Sequence, residues 1–553
     1  ETLQNITRLL DVLIPASVSV GCFGSRWKII GSRLASLKSL IAEISDSAHW
    51  SENPLLVPIL PEALSTLSRV EMLCRYCYDD SAISRGKLLM QSDLDMASGW
   101  LSKHINDLDL LLRSGVLQKS TAIVLSRPEA SSSKEEIGFF IKDLFTRLQI
   151  GCLDFKKEAL NSLIELLLED KKSAFLVAHE GNLGCLIQLL DPNADFSIRE
   201  LSVATVSLLA SAGDLPRKCV FNEGALGPLL RIIDSGSMPM KEKAAMAVEF
   251  ITSDPDNAWA ISAYGGIPIM IQLCKSGSLV AQSHAVGVVR NIATTEDVRM
   301  DLAEEGIVPV LMQLLNSGSP LVQGKAANCV SILASTNDHF SGLLQQAKCL
   351  QRLLQSFEEC SVSDTLEQIL RAIYSLSSSD SCYRILSGST PFILHLAELV
   401  KHGSLILQHL SASLLANLAI SDANKRGISS CMASLVKLME CLKPDGMQEV
   451  AAKALISLLS LKSNRKELVK DEKSLMRLVQ MLNPMNEIVS KKYPIAIVTA
   501  VMAGGSQGCR TRLVSAGACN HMQRLAEMDI PGAKKALQRL STNRLSSMLS
   551  WAW

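Results

Sequence analysis

The chain has 553 residues, too many for one ordinary hydrophobic core, so it must hold several domains or a repeat array. Hydrophobic residues make up 48% and aromatics only 4%, which selects an interior of Leu, Ile, Val and Ala in stacked helices over aromatic-rich strands. Basic and acidic residues balance at 55 each, so the molecule as a whole has no net pull toward nucleic acid or an anionic membrane.

In chain order, residues 1 to about 118 read as a bundle of about four helices. Their apolar-periodic segments are Leu3–Leu13, Trp27–Ile44, Leu55–Cys77 and Leu88–Leu112, with Pro54, Pro58 and Pro61 expected to break up the entry to the third. Residues 119–136 follow as a linker, since Pro128 and Ser131-Ser132-Ser133 give a composition that buries little.

From Ile137 onward the sequence repeats itself. A Gly-Ser turn recurs at Gly236, Gly277, Gly318 and Gly403, with steps of 41, 41 and 85 residues, the last being two units. Apolar pentads keep the same period: Leu186–Leu190, Leu229–Ile233, Met270–Cys274, Leu311–Leu315, Leu350–Leu354, Ile393–Ala397, Leu435–Met439, Leu475–Val479 and Met522–Ala526. Each pentad follows a small or Gly-containing turn, such as Glu305-Gly306. A third, long amphipathic helix follows the Gly-Ser turn, as in Ala281–Thr294 and Gln408–Ile420. The glycine is expected to end one helix in the left-handed conformation and the serine to cap the next. Residues 137–553 thus read as about nine to ten helical units, the last capping the array.

Stretches such as Gly306-Ile307-Val308-Pro309-Val310-Leu311-Met312-Gln313-Leu314-Leu315-Asn316-Ser317-Gly318-Ser319 resemble the armadillo repeat. The segment from Gly86-Lys87-Leu88-Leu89 through Ser114-Gly115-Val116-Leu117 resembles the helical domain that precedes armadillo repeats in plant proteins, including plant U-box ubiquitin ligases. The resemblance implies an all-α fold: a right-handed superhelical armadillo solenoid behind an N-terminal helical bundle. In the ligase relatives a U-box lies between the two parts. Gln118–Lys134 is too short to hold one, so that module is expected to be absent.

No chemistry-bearing constellation stands out. Walker, GxSxG, HExxH and kinase signatures are missing, and the Gly504-Gly505 and Gly508 cluster lacks the strand a nucleotide site needs. The 15 cysteines are scattered singly apart from Cys74 and Cys77, which reads as reduced intracellular thiols in apolar surroundings. The lone CxxC has no second pair to complete a zinc site, and His402 and His409 have no third ligand nearby. No enzyme activity, cofactor, metal or nucleic-acid partner is expected. No secretory pattern opens the sequence and no stretch suffices to span a bilayer, so a cytoplasmic or nuclear location is expected.

The partner is expected to be another protein, a helix or a folded domain, lying in the groove lined by the third helices. In peptide-binding armadillo proteins an Asn repeats along this helix, and nuclear-import adaptors add a Trp four residues before it. Here the Asn is present at Asn291 and Asn417, while Leu208, Phe250, Ile332, Ser375, Leu458 and Val501 take its place elsewhere. The Trp position carries Met246, Gly287, Asn328 and Ser413. A groove so altered is expected to be apolar and to disfavour an import receptor. Expected contact residues are Glu249, Phe250, Arg290, Asn291, Asn328 and Asn417. The reading is therefore a non-enzymatic scaffold in plant signalling or trafficking, with a substrate-recruiting part of a ubiquitin ligase as the alternative.

From Lys491 to the end, nine basic residues stand against Glu527 and Asp529. The last segment, with Lys534, Lys535, Arg539, Arg544, Trp551 and Trp553, is expected to cap the array. Its alternative reading is contact with an acidic partner or a membrane surface.

Overall fold

A computed structural model describes residues 2–47, 50–78, 87–113, 133–336, 338–504 and 507–541. Most described residues are helical, and no strand occurs among them. Two compact units divide at Ile269/Met270.

The first unit opens with α1 (Thr2–Ser19), α2 (Gly24–Asp46), α3 (Leu56–Tyr78) and α4 (Lys87–Arg113). Each buries one stripe at alternating spacings of three and four. On α2 the stripe is Trp27, Ile30, Leu34, Leu37, Ile41 and Ile44; on α4 it is Met90, Leu94, Ala97, Leu101, Leu108 and Leu111. A narrow stripe of this period suits near-parallel helix packing, and α2 lies against both α1 and α4, with α3 closing the set against α1 and α4. Gly31 allows the closest approach: a methyl there would meet Ser17 Oγ at 2.6 Å. The prolines behave differently from expectation. Pro58 and Pro61 lie inside α3: Pro58 falls in the first turn, which has no intrahelical acceptor for its N–H to lose, whereas Pro61 forgoes one bond, to the Val57 carbonyl, so only Pro54 precedes the helix.

Next, α5 (Lys134–Ile150) starts at a complete capping box. The Ser133 hydroxyl accepts from Glu136 N–H, and the Glu136 carboxylate accepts from Ser133 N–H. The helix thus begins before the expected boundary at 137. Within it Arg147 and Asp143 form a buried pair at 3.0 Å, and Arg147 stacks over Phe155 of α6 (Leu153–Glu169) at 5.5 Å. Ile150 and Phe155 also pack against the core of the four-helix bundle. The third helices of this unit, Phe196–Ala212 and Met238–Thr252, follow α6 in a continuous stack.

The second unit repeats one triplet of helices. Its third helices are Leu279–Ile292, Pro320–Thr336, Ser363–Leu376, Leu405–Asn417, Met447–Leu458, Lys492–Val501 and Ala533–Ser541, each packed on the next. Small residues make this possible. Gly324 brings its helix so near the next that an added methyl would touch the Thr365 backbone at 3.4 Å. Thr365 Oγ1 donates to the Pro320 carbonyl at 2.9 Å, and Lys325 Nζ donates back to the Ser283 carbonyl at 3.0 Å.

The turn glycines exchange the roles expected of them. Gly236 and Gly403, at the Gly-Ser turns, are extended, with φ of −76° and −72°. A side chain is excluded there because its Cβ would fall 2.6 Å from the carbonyl oxygen of Ile232 or Leu399; Gly277 meets that of Leu273 in the same way. The left-handed glycines sit instead before the second helices, as at Gly306, φ 74°. Ser278 and Ser404 cap their helices as expected, accepting from Ala281 and Leu407 N–H, but the Ser237 hydroxyl makes no cap.

A substitution series separates these cases. Gly306→Ala should cost about 1–2 kcal/mol through its left-handed backbone, and Gly277→Ala should also lower the thermal midpoint. Gly318→Ala, whose added methyl meets nothing within 4 Å, should stay within about 0.5 kcal/mol of the parent. Thermal unfolding followed by circular dichroism reads the difference.

Candidate protein-binding face

Stacked third helices leave one side of each helix uncovered, and the expected contact residues distribute along it. In the first unit, Glu249 and Phe250 sit side by side and half-buried on Met238–Thr252. In the second unit, Arg290 and Asn291 lie near the end of Leu279–Ile292, Asn328 in Pro320–Thr336, and Asn417 at the end of Leu405–Asn417.

These polar groups are not equally available. The Arg290 guanidinium donates to Asn291 Oδ1 through Nε at 3.1 Å and Nη2 at 2.7 Å. Asn328 Nδ2 donates to Gln368 Oε1 on the next third helix at 2.6 Å. Both amides are therefore engaged, Asn291 within its own helix and Asn328 as a brace between adjacent third helices. Asn417 is exposed, and it lines a recess with Ser335, Tyr374, Ser375, Ser378 and Tyr383. Ser331 and Ser375 hydroxyls bond across adjacent helices at 2.9 Å, which fixes the floor of that recess. Sequence reasoning missed the two tyrosines. Tyr383 belongs to a first helix, Asp380–Gly388, and only the fold carries it to the third-helix side.

Two positions expected on this face are not there. Leu458 and Val501 are fully buried, and Ser457 and Ala500 take the half-exposed places. The interval from Asn417 shortens by one residue, and one residue turns a helical side chain by about 100°. Nearby, Glu449 pairs with Lys453 at 2.6 Å and accepts from Tyr493 at 3.4 Å. The Lys453 ammonium, and after it Lys492 and Tyr493, hold the Glu449 carboxyl below its ordinary range. The face of the second unit is thus largely polar, with Ile332 half-buried, which corrects the expectation of an apolar groove.

At the C-terminal end, Ala533–Ser541 buries Ala533, Ala536 and Leu540 against Ala518–Glu527 and Lys492–Val501. Lys534 pairs with Asp529, Arg539 donates to the Thr499 carbonyl at 3.3 Å, and Lys535 is exposed. Arg544, Trp551 and Trp553 lie outside the described residues. No helix among the described residues is long and apolar enough to cross a membrane. Cys74 and Cys77 lie buried in the bundle, where burial raises both thiols and keeps them protonated. No cluster of three or more His, Cys, Asp or Glu side chains able to hold a metal occurs among the described residues.

Residues 295–335 match the armadillo/beta-catenin-like repeat family, covering one triplet of helices. The array is an armadillo-type solenoid. Residues 4–116 match a domain of unknown function, DUF7032, which coincides with α1–α4. Similar solved structures include engineered proteins. One engineered protein aligns at a TM-score of 0.59 and 23% identity, over 73% of this chain and 98% of its own. A designed armadillo repeat protein aligns at a TM-score of 0.40 and 20% identity, over 42% of this chain and 98% of its own. No curated protein matches the chain.

The division between bracing and available amides in the armadillo face can be measured. Asn328→Ala removes a cross-helix hydrogen bond and should cost about 0.5–1.5 kcal/mol, whereas Asn417→Ala should fall within about 0.5 kcal/mol of the parent. Paired thermal melts decide between them.

Proposed function

We propose that this chain is a non-enzymatic scaffold that holds a partner protein against its third helices, with the recess around Tyr374, Ser375 and Asn417 as its centre. The single observation that supports this most is that recess. It joins two tyrosines, several serine hydroxyls and an amide without an internal partner on a rigid, uncovered helix stack. Tyrosine supplies contact area at little entropic cost, and serine and asparagine supply adaptable hydrogen bonds. Arg290, Asn291 and Asn328 form a polar flank in the same unit, and Glu249 and Phe250 offer a further contact in the first unit.

The polarity of the face favours a partner with exposed hydrogen-bonding groups over a purely apolar helix. The scarcity of available amides argues against an import receptor, which would need a long series of them. Residues 1–118 are read as a separate helical domain that positions the solenoid, 119–136 as the connection and 137–553 as the working array. The resemblance to plant proteins supports a role in plant signalling or trafficking.

Affinity capture with mass spectrometry, followed by titration of the recovered partner, tests this reading. Tyr374→Ala with Asn417→Ala should weaken the partner by roughly tenfold or more, as truncation at the centre of an interface does. Arg299→Ala, away from the recess, should leave it unchanged. Retention of all partners by the double variant would place the working surface elsewhere.

A further inference from the structure

Part of the positive charge read near the end of the sequence is neutralised or tied down where the chain folds. Lys491 Nζ donates to the carbonyls of Met481 (3.0 Å), Asn483 (2.6 Å) and Asn486, closing the end of a second helix. Arg512 faces Glu472 at 3.9 Å, Lys534 pairs with Asp529, and Arg539 is held on a backbone carbonyl. Arg510 and Arg512 of that stretch instead join cations from earlier in the sequence on the first helices of three successive repeats.

These helices are Asp422–Gly427, Lys462–Lys470 and Gln507–Ser515, and each packs on the next. Together they carry eight lysines and arginines against two carboxylates, Asp422 and Glu467, a net of +6. The structure gives the half-buried cations only neutral acceptors. Lys425 donates to Ser460 Oγ at 2.9 Å, Arg465 to the Ser460 carbonyl at 3.3 Å, and Arg510 to Gln507 Oε1 at 3.4 Å. Arg510 Nε is buried without a partner. The more exposed Arg426, Lys462 and Lys466 form no ion pair within the described residues. Glu467 is turned toward the Ser429 hydroxyl at 3.2 Å.

With Arg512 set against Glu472, the row keeps a net of +5, and these like charges repel one another unless a counter-charge lies over them. The geometry of the row indicates its form. Packed helices stand about 8–10 Å apart, and an extended chain advances about 3.3–3.6 Å per residue. A carboxylate at every third position of an extended segment therefore meets one first helix after another. A lipid surface fits less well. Interfacial helices bury an apolar or aromatic face beside their cations, and Asp422–Gly427 and Lys462–Lys470 expose no large hydrophobic side chain; Val514 alone does so on the third helix. We propose that this first-helix row docks an extended acidic segment of a partner protein, on a surface separate from the third-helix face.

The test uses the full chain and a fluorescein-labelled Gly/Ser peptide with Glu at every third position, read by fluorescence anisotropy. The unaltered chain should bind, more weakly as salt shortens the screening length. R426E/K462E/K466E should weaken binding roughly tenfold or more, and K28E/K171E/K275E, with the same net charge change elsewhere, about twofold or less. R426Q/K462Q/K466Q should fall between them, and supplies the readout if the reversed chain fails to fold. An absence of binding, or an equal loss in both Glu variants, would overturn the proposal. So would strong binding to phosphatidylserine vesicles that R426E/K462E/K466E abolishes while the peptide does not bind; the row would then be a lipid site.

Discussion

The close stacking of third helices is the constraint on which the rest of the second unit depends. Gly324 against Thr365, and the buried Ala451, Ala452 and Ala454, keep backbones near enough for side chains of one repeat to reach carbonyls of the next. Small residues contribute little buried area each, so the stack also needs the larger apolar neighbours. Val289, Val330, Ile373, Leu414 and Leu455 are fully buried and fill the space between the stack and the second helices.

That stack divides the labour of polar side chains. A group on a third helix can bond to the next repeat or stay open to a partner, and it cannot do both fully. Asn328 with Gln368, and Lys325 with the Ser283 carbonyl, hold neighbouring helices in register. Tyr374 and Asn417 are left exposed beside them. Rigidity from the first group makes the second useful, because side chains held on a fixed frame lose less entropy when a partner arrives. The same division holds on the first-helix row, where Lys425 and Arg465 bind neutral groups and Arg426 and Lys466 extend outward.

Much of this was legible in the sequence, for physical reasons that vary by element. The stripes of α1 to α4 announce themselves because one buried face at helical spacing leaves no other arrangement. The 41-residue steps of Gly236, Gly277 and Gly318 mark the repeats; at Gly236 and Gly277 the turn excludes a side chain and keeps its glycine, while Gly318 has room for one. Why the glycine was needed was not legible: steric contact with a preceding carbonyl and a left-handed backbone leave the same letter. The face was harder still. A single-residue change in repeat length hid Ser457 behind Leu458, and Tyr383 reaches its recess from a different helix of the triplet. The first-helix cations lie about forty residues apart in sequence, so no window of the chain shows them as one cluster.

Hydrogen exchange of the full chain, read by mass spectrometry, tests most directly whether the third-helix stack holds the second unit together. The account predicts that the slowest amides lie in Leu279–Ile292, Pro320–Thr336, Ser363–Leu376, Leu405–Asn417 and Met447–Leu458. Those of the short first helices, such as Asp422–Gly427 and Lys462–Lys470, should exchange sooner. Equal protection in first and third helices, or slower exchange in the first, would contradict it.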